Sequence, residues 1–331
     1  MLKLGLLGAG RIGITHAKAI QAVPGATISA VFDPFDAAAE AAIEITGAKR
    51  VSLEEIMASP DIDGVIIATP TDLHAEQIEL AAKAGKAIFC EKPIDLSVER
   101  VQRCLDVVEE NSIKLMVGFN RRFDPSFARL KSEIDNGTVG EVELVQIISR
   151  DPSAPPVDYI KRSGGIFRDM MIHDFDMARF LLNEEITEVS ATGSVLTDPE
   201  IGDAGDYDTA TATLRTASGK IAVITNSRRA SYGYDQRIEV HGSKGLAQAG
   251  NHRATTVTIA SGEGYKTDPL MDFFMERYAE AYSAELQSFV KTLSGENISI
   301  PDGQDGLRAL ELADAALESA HSGKTVILGQ I

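Results

Sequence analysis

One stretch near the start constrains this chain more than any other. The apolar run Leu4-Gly5-Leu6-Leu7 passes directly into Gly8-Ala9-Gly10-Arg11-Ile12-Gly13 and then into the helix-forming pattern of Ile14, His16, Ala17, Ala19 and Ile20. Gly8 permits a tight turn, Gly10 lets the main chain approach a ligand, and Gly13 lets the helix pack on the strand. The free amides and dipole of the helix N-terminus then attract an anion. A second apolar strand pattern, 27–32, ends at Asp33. That is about 20 residues beyond Gly13, where a carboxylate takes the ribose hydroxyls of a dinucleotide. Gly8, Gly10, Arg11, Ile12, Gly13 and Asp33 are therefore expected to bind a dinucleotide cofactor. Asp33 is followed by Pro34, with no Lys or Arg before Lys49. A carboxylate there repels a 2′-phosphate, so NAD is favoured over NADP.

The chain has 331 residues, 44% of them hydrophobic, enough for two domains that each bury a core. A formal net charge of −17 argues against nucleic-acid or acidic-membrane partners, which need clustered Lys and Arg. The first strand begins almost at Met1, leaving no room for a signal peptide, and no apolar run approaches the roughly 20 residues of a membrane span. A cytoplasmic location is expected. Cys90 and Cys104 read as small buried residues, because they have neither metal-ligand spacing nor a secretory context.

Residues 1–122 alternate short apolar strands with amphipathic helices, predicting a doubly wound parallel sheet of Rossmann type. Strands are expected over 2–7, 27–32, 49–51, 63–68, 86–90 and 114–118, with Ser52, Asp72 and Ser97 capping helices. Residues 123–331 are expected to form an α+β substrate-binding and oligomerisation domain, an open-faced mixed sheet with helices on one side. Its strands fall near 141–150, 187–196, 207–216, 220–229, 235–241 and 254–260, interrupted by a helix at 167–183. Two helices, 271–294 and 304–321, close the chain and are expected to pack back near the first domain.

In an open α/β sheet the ligand crevice lies beyond the carboxyl ends of the strands. Thr69-Pro70 and Glu91-Lys92-Pro93 stand at two such ends. Thr69, Pro70, His74, Glu91 and Lys92 are accordingly candidates for the cofactor side, and the Lys92–Pro93 bond is a candidate cis peptide. A second constellation lies in Gly164-Gly165-Ile166-Phe167-Arg168-Asp169-Met170-Met171-Ile172-His173-Asp174-Phe175-Asp176. Asp169, His173 and Asp176 share one face if the segment is helical. A hydride leaves carbon readily only when the hydroxyl proton is removed, and a histidine titrating near neutrality does this well. Asp169 would orient or stabilise the imidazole, and Lys92 would favour the developing alkoxide. His16 reads as a packing or pyrophosphate-side residue, and Arg121 with Arg122 as either a phosphate grip or carboxylate partners. No His, Cys or carboxylate grouping has a metal spacing, so no metal is expected.

These segments, with Gly118-Phe119-Asn120-Arg121-Arg122-Phe123, resemble the glucose-fructose oxidoreductase, inositol dehydrogenase and rhizopine catabolism family over essentially the whole chain. Ser149-Arg150-Asp151-Pro152 and 163–179 are most similar to its bacterial inositol 2-dehydrogenase branch. The resemblance implies NAD-dependent oxidation of a ring hydroxyl of myo-inositol, with Lys92, Asp169 and His173 as the catalytic set. It also implies a homotetramer built on the outer face of the sheet domain. Polyol contacts would come from Asn120, Asp151, Asp176 and Tyr232, with Tyr234 competing for the last role. Relatives often carry an apolar residue where this chain has Asn120, which leaves scyllo-inositol, a sugar or an anhydrosugar as alternative substrates. A cofactor-binding sensor on the same fold would need neither Lys92 nor His173.

Overall fold

A computed structural model of the chain describes residues 1–329. They form two compact units, Met1–Asp124 with Ala279–Leu310, and Pro125–Tyr278 with the residues from Glu311.

The first unit is built on six parallel strands, β1 Leu2–Leu7, β2 Ala26–Phe32, β3 Lys49–Arg50, β4 Gly64–Ile67, β5 Ala87–Cys90 and β6 Leu115–Val117. Their order is β3-β2-β1-β4-β5-β6, the doubly wound order expected from the alternating pattern. Every residue of β4 is buried, as a parallel strand covered on both faces requires. The order reverses between β1 and β4, which opens the crevice above their carboxyl ends. Gly8 has φ +88°, and a Cβ added there would stand 2.7 Å from the Ala68 carbonyl oxygen, so only glycine fits this turn. Helix Ala279–Leu293 packs against helix Arg11–Ala19 and completes the unit.

Two of the three expected caps form. Ser52 makes a reciprocal capping box with Glu55, and Ser97 accepts a bond from the Arg100 amide. Asp72 instead lies inside the 3-10 turn Thr71–Leu73, and the helix after it begins at His74 without a side-chain cap.

The second unit contains a seven-stranded mixed sheet whose strands, in spatial order, are β12 Gly245–Ala249, β11 Asp235–Gly242, β7 Val142–Arg150, β10 Ile221–Ser227, β9 Thr209–Thr216, β8 Ile186–Ser194 and β15 Val326–Ile327. Among the described residues of this sheet only β7 and β10 pair in parallel. Burial alternates strictly along β9, so one face is packed and the other open. Helix Ile172–Leu182 covers β7 and β10. Fully buried Asp174 staples it there, accepting bonds from Ser149 Oγ on β7 at 2.6 Å and from Asn226 Nδ2 on β10 at 2.8 Å.

Three boundaries depart from expectation. The strand expected at 254–260 is one arm of a separate ribbon, β13 Thr258–Ser261 with β14 Gly264–Thr267, closed by the turn at 262–263. Short β12 and β15 carry too little pattern to be read locally and exist through pairing with β11 and β8. The helix expected at 271–294 divides into Phe274–Arg277 and Ala279–Leu293. At the break Tyr278 is buried, and its hydroxyl bonds Gln236 at 3.2 Å.

Candidate functional site

In the first unit the glycine turn leads into helix Arg11–Ala19, whose N-cap Gly10 provides no capping side chain, leaving the first-turn amides for a ligand. A Cβ added to Gly10 would meet nothing within 4 Å, whereas one on Gly13 would stand 2.1 Å from the Gly8 carbonyl oxygen. Gly10 thus borders open space and Gly13 seals helix against strand, a cradle that fits a dinucleotide pyrophosphate. Asp33 braces the same turn. Its two oxygens accept bonds from the Ala9 amide at 2.7 Å and the Phe35 amide at 2.8 Å. A carboxylate has about four acceptor positions, so capacity remains for ribose hydroxyls.

One neighbour of Asp33 is brought to it by strand pairing rather than by local sequence. Pairing of β2 with β3 sets Val31 opposite Arg50, whose guanidinium reaches the Asp33 carbonyl at 3.3 Å and the Asp36 carboxylate at 2.7 Å. A cation distant in sequence is therefore adjacent in space, neutralised by Asp36.

At the ends of β4 and β5, buried His74 ties two turns together. Its Nε2 lies 2.7 Å from the Thr69 carbonyl and its Nδ1 2.8 Å from that of Pro93. Burial lowers its pKa, while the two carbonyl oxygens, each able to accept a ring N–H, and Glu91 pull it up, and the ring clamps the two turns behind the strand ends. Thr69 also donates its hydroxyl to Gln77 at 2.7 Å. The Lys92–Pro93 peptide is cis and Lys92 is half-buried. Glu91 points inward rather than toward the crevice. His16 Nε2 contacts its Oε1 at 2.7 Å and the Lys92 amide donates to its Oε2 at 3.3 Å. Asn120 is buried in the 3-10 turn Asn120–Phe123, and Arg122 pairs with Asp305 at 3.0 Å, in line with the carboxylate-partner alternative.

In the second unit Asp169 lies in a π-helical turn, Ile166–Met170, and His173 in the first turn of helix Ile172–Leu182. The π turn is marked by the Met171 amide bonding the Ile166 carbonyl five residues back, and it runs directly into the helix that carries His173. Both residues are half-buried, while Asp176 is buried. Tyr159, which no sequence spacing indicates, donates its hydroxyl to Asp169 Oδ1 at 2.9 Å. Asp206 accepts the Ile166 amide and pairs with Arg228 at 3.2 Å, fixing the start of the turn. Burial, reinforced by the Asp169 charge, raises the Asp206 pKa against its bonds to the Ile166 and Tyr207 amides and the Arg228 charge.

Asp151 follows β7, its amide bonding the Ser227 carbonyl at 2.9 Å. Of the competing tyrosines, Tyr232 is half-exposed and Tyr234 is buried against Phe273 and Tyr278. The Tyr232 hydroxyl donates to Asp235 at 2.7 Å and accepts from Arg150 at 2.8 Å, beside a cleft of about 830 Å³. Burial pushes the Asp235 carboxyl up, but bonds from Arg237, Asn251 and Tyr232 outweigh it and bring it down to about 2.

Of the expected site residues, the first unit thus holds Gly8 to Gly13, Asp33, Thr69, Pro70, His74, Glu91, Lys92 and Asn120. The second holds Asp151, Asp169, His173, Asp176 and Tyr232.

Residues 2–119 match the oxidoreductase family with an NAD-binding Rossmann fold, and 127–248 match the GFO/IDH/MocA C-terminal domain. An inositol 2-dehydrogenase of Rhizobium meliloti is 61% identical over 96% of either chain. A solved myo-inositol dehydrogenase of Corynebacterium glutamicum superposes with a TM-score of 0.95 at 47% identity over the full length of both chains. A scyllo-inositol dehydrogenase of Lactobacillus casei, solved with NAD(H) and scyllo-inositol, superposes with a TM-score of 0.91 at 32% identity over 99% of both. With both of its domains matched in order and close relatives along its whole length, the chain belongs to the GFO/IDH/MocA family of NAD-binding oxidoreductases.

Proposed function

We propose that this oxidoreductase is an inositol 2-dehydrogenase, oxidising the 2-hydroxyl of myo-inositol to the ketone with reduction of NAD. The observation that carries the reading is the Asp169–His173 pair, a carboxylate one helical turn from a half-buried imidazole, on a chain 61% identical to an inositol 2-dehydrogenase. NAD seated on the Gly8–Gly13 turn supplies the hydride acceptor. His173 takes the hydroxyl proton, Asp169 orients the ring and favours its charged form, and Lys92 donates to the oxygen as negative charge develops. Asn120, Asp151, Asp176 and Tyr232 are assigned to the other hydroxyls of the polyol. Thr69, Pro70, His74 and Glu91 support the cofactor side.

The test is NADH formation by the purified protein with myo-inositol, scyllo-inositol, glucose and an anhydrosugar, each alone. Fastest turnover on myo-inositol supports the proposal. Preference for scyllo-inositol would favour the second reading, which the likeness to the Lactobacillus casei enzyme and the polar Asn120 keep open.

Asp33 reads the ribose in this proposal. Asp33→Ala is expected to reduce the preference for NAD over NADP by roughly 10- to 100-fold, the range of a lost bond to a charged group, with Arg50 left near the site. Comparing kcat/KM for the two cofactors checks this, and an unchanged ratio would remove Asp33 from the discrimination.

The same reading extends to a cytoplasmic homotetramer formed on the open face of the second sheet. Leu144 pairs with Ile221 on one side and His241 on the other, and His241 pairs with Leu246, giving one exposed cross-strand row of largely apolar side chains. Sedimentation is expected to give four chains, and Leu144→Lys combined with Leu246→Lys to give smaller species. A monomeric wild-type protein would overturn the assembly.

No helix among the described residues is long and apolar enough to cross a membrane.

A further inference from the structure

The first unit buries a cluster that the proposed chemistry does not use. His16 from helix Arg11–Ala19, Glu91 from the end of β5 and Glu285 from helix Ala279–Leu293 bring a ring nitrogen and two carboxyl oxygens within 4.8 Å of one another. All three side chains are buried, His16 and Glu285 completely. Among the described residues neither Glu285 oxygen has a hydrogen-bond partner. The walls are aromatic, with His16 edge-on to Phe89 at 5.0 Å and to Tyr282 at 5.6 Å. The seat is shaped for Glu91, because a Cβ added to Gly118 would stand 3.1 Å from its carboxyl carbon.

Two carboxylates so placed repel each other without water to screen them. A metal ion would reconcile them, but the 2.7 Å His16–Glu91 contact has hydrogen-bond geometry. Two ligands of a tetrahedral zinc ion would stand about 3.3 Å apart at roughly 2.0–2.1 Å bond lengths. A proton reconciles them without that conflict. Burial, and after it the Glu91 charge, hold the Glu285 carboxyl well above the ordinary carboxylate range.

We propose that Glu285 is a positioning residue: kept as the neutral acid, it leaves Glu91 as the one carboxylate of the cluster, gripping His16 and the Lys92 main chain and so setting the strand end from which Lys92 projects. A proton on Glu285 removes the repulsion between the two carboxyl groups. Glu91 then keeps both contacts, Oε1 to His16 and Oε2 to the Lys92 amide. The functional part of the inference rests on the catalytic assignment of Lys92, whereas the protonation of Glu285 does not.

The test compares Glu285→Gln and Glu285→Ala with the wild-type holoenzyme. Glu285→Gln, neutral and a donor of the same shape, is expected to keep kcat within about threefold, while Glu285→Ala lowers kcat by about 10- to 100-fold, the scale of a small misplacement of a catalytic group. KM for the polyol and NADH affinity by fluorescence are expected to change little in both. Difference infrared spectroscopy of wild type against Glu285→Gln near neutral pH is expected to show loss of one protonated carboxylic-acid carbonyl band, a readout independent of the substrate. Equal impairment of the two variants, full activity of Glu285→Ala, absence of the acid band, or a stoichiometric metal lost with Glu285→Gln would each overturn the proposal. A wild-type protein silent on every polyol that still gives the acid band would refute the substrate reading while leaving the buried acid in place.

Discussion

His173→Ala is expected to lower kcat by roughly 10² to 10⁴, the usual range for losing a general base, while NADH affinity stays near that of the wild type. The asymmetry follows from location. His173 belongs to the second unit, on helix Ile172–Leu182, whereas the glycine turn and Asp33 belong to the first. The helix should survive the substitution, because Asp174 keeps its bonds to Ser149 and Asn226 and the ring of His173 is only half-buried. Steady-state turnover, NADH fluorescence titration and thermal melting together separate lost chemistry from lost folding. Normal turnover would take His173 out of the mechanism. The Asp169 carboxylate should matter less than the base itself, since it acts through the ring and already accepts a bond from Tyr159.

Lys92→Ala is expected to cost roughly 10² to 10³ in kcat, comparable to removing one preorganised donor from a developing oxyanion. The lysine sits at the carboxyl end of β5, its amide bonded to Glu91 and its successor Pro93 held by His74. A flexible side chain thus starts from a braced main chain. Because the bracing uses main-chain atoms, the substitution removes the ammonium group and leaves the turn intact. Lys92→Arg is not expected to restore activity, since a planar guanidinium cannot replace a compact point charge. Kinetics at saturating NAD and polyol check both variants. Full activity of Lys92→Ala would make the strand-end lysine structural, and the positioning role of Glu285 would then lose its object.

Much of this was legible because it is local. The Gly8–Gly13 turn and the placing of Asp33 follow from steric rules acting within a few residues, since only glycine tolerates the Gly8 conformation and the approach at Gly13. The parallel first sheet and the mixed second sheet follow from hydrophobic period, which differs between strands covered on both faces and strands with an open face. Asp169 and His173 were legible as neighbours by spacing, although the turn joining them is π-helical rather than α-helical.

The tertiary structure decided which distant groups face one another. Arg50 stands beside Asp33 because β3 pairs with β2, a register that the local sequence around Asp33 does not contain. Tyr159 reaches Asp169 across the turn at Gly164 and Gly165, and Tyr278, where the expected helix divides, reaches Gln236 with its buried hydroxyl. Glu285 reads in sequence as one more acidic residue on an amphipathic helix. Only the packing of that helix on helix Arg11–Ala19 removes it from water and sets it against Glu91 and His16. Torsional sterics and periodicity act between near neighbours, so the glycine turn, the strand pattern of the first unit and the inventory of reactive groups can be read along the chain. Protonation and partnership were left to the tertiary structure, because desolvation and Coulomb interaction depend on distance in space rather than along the chain.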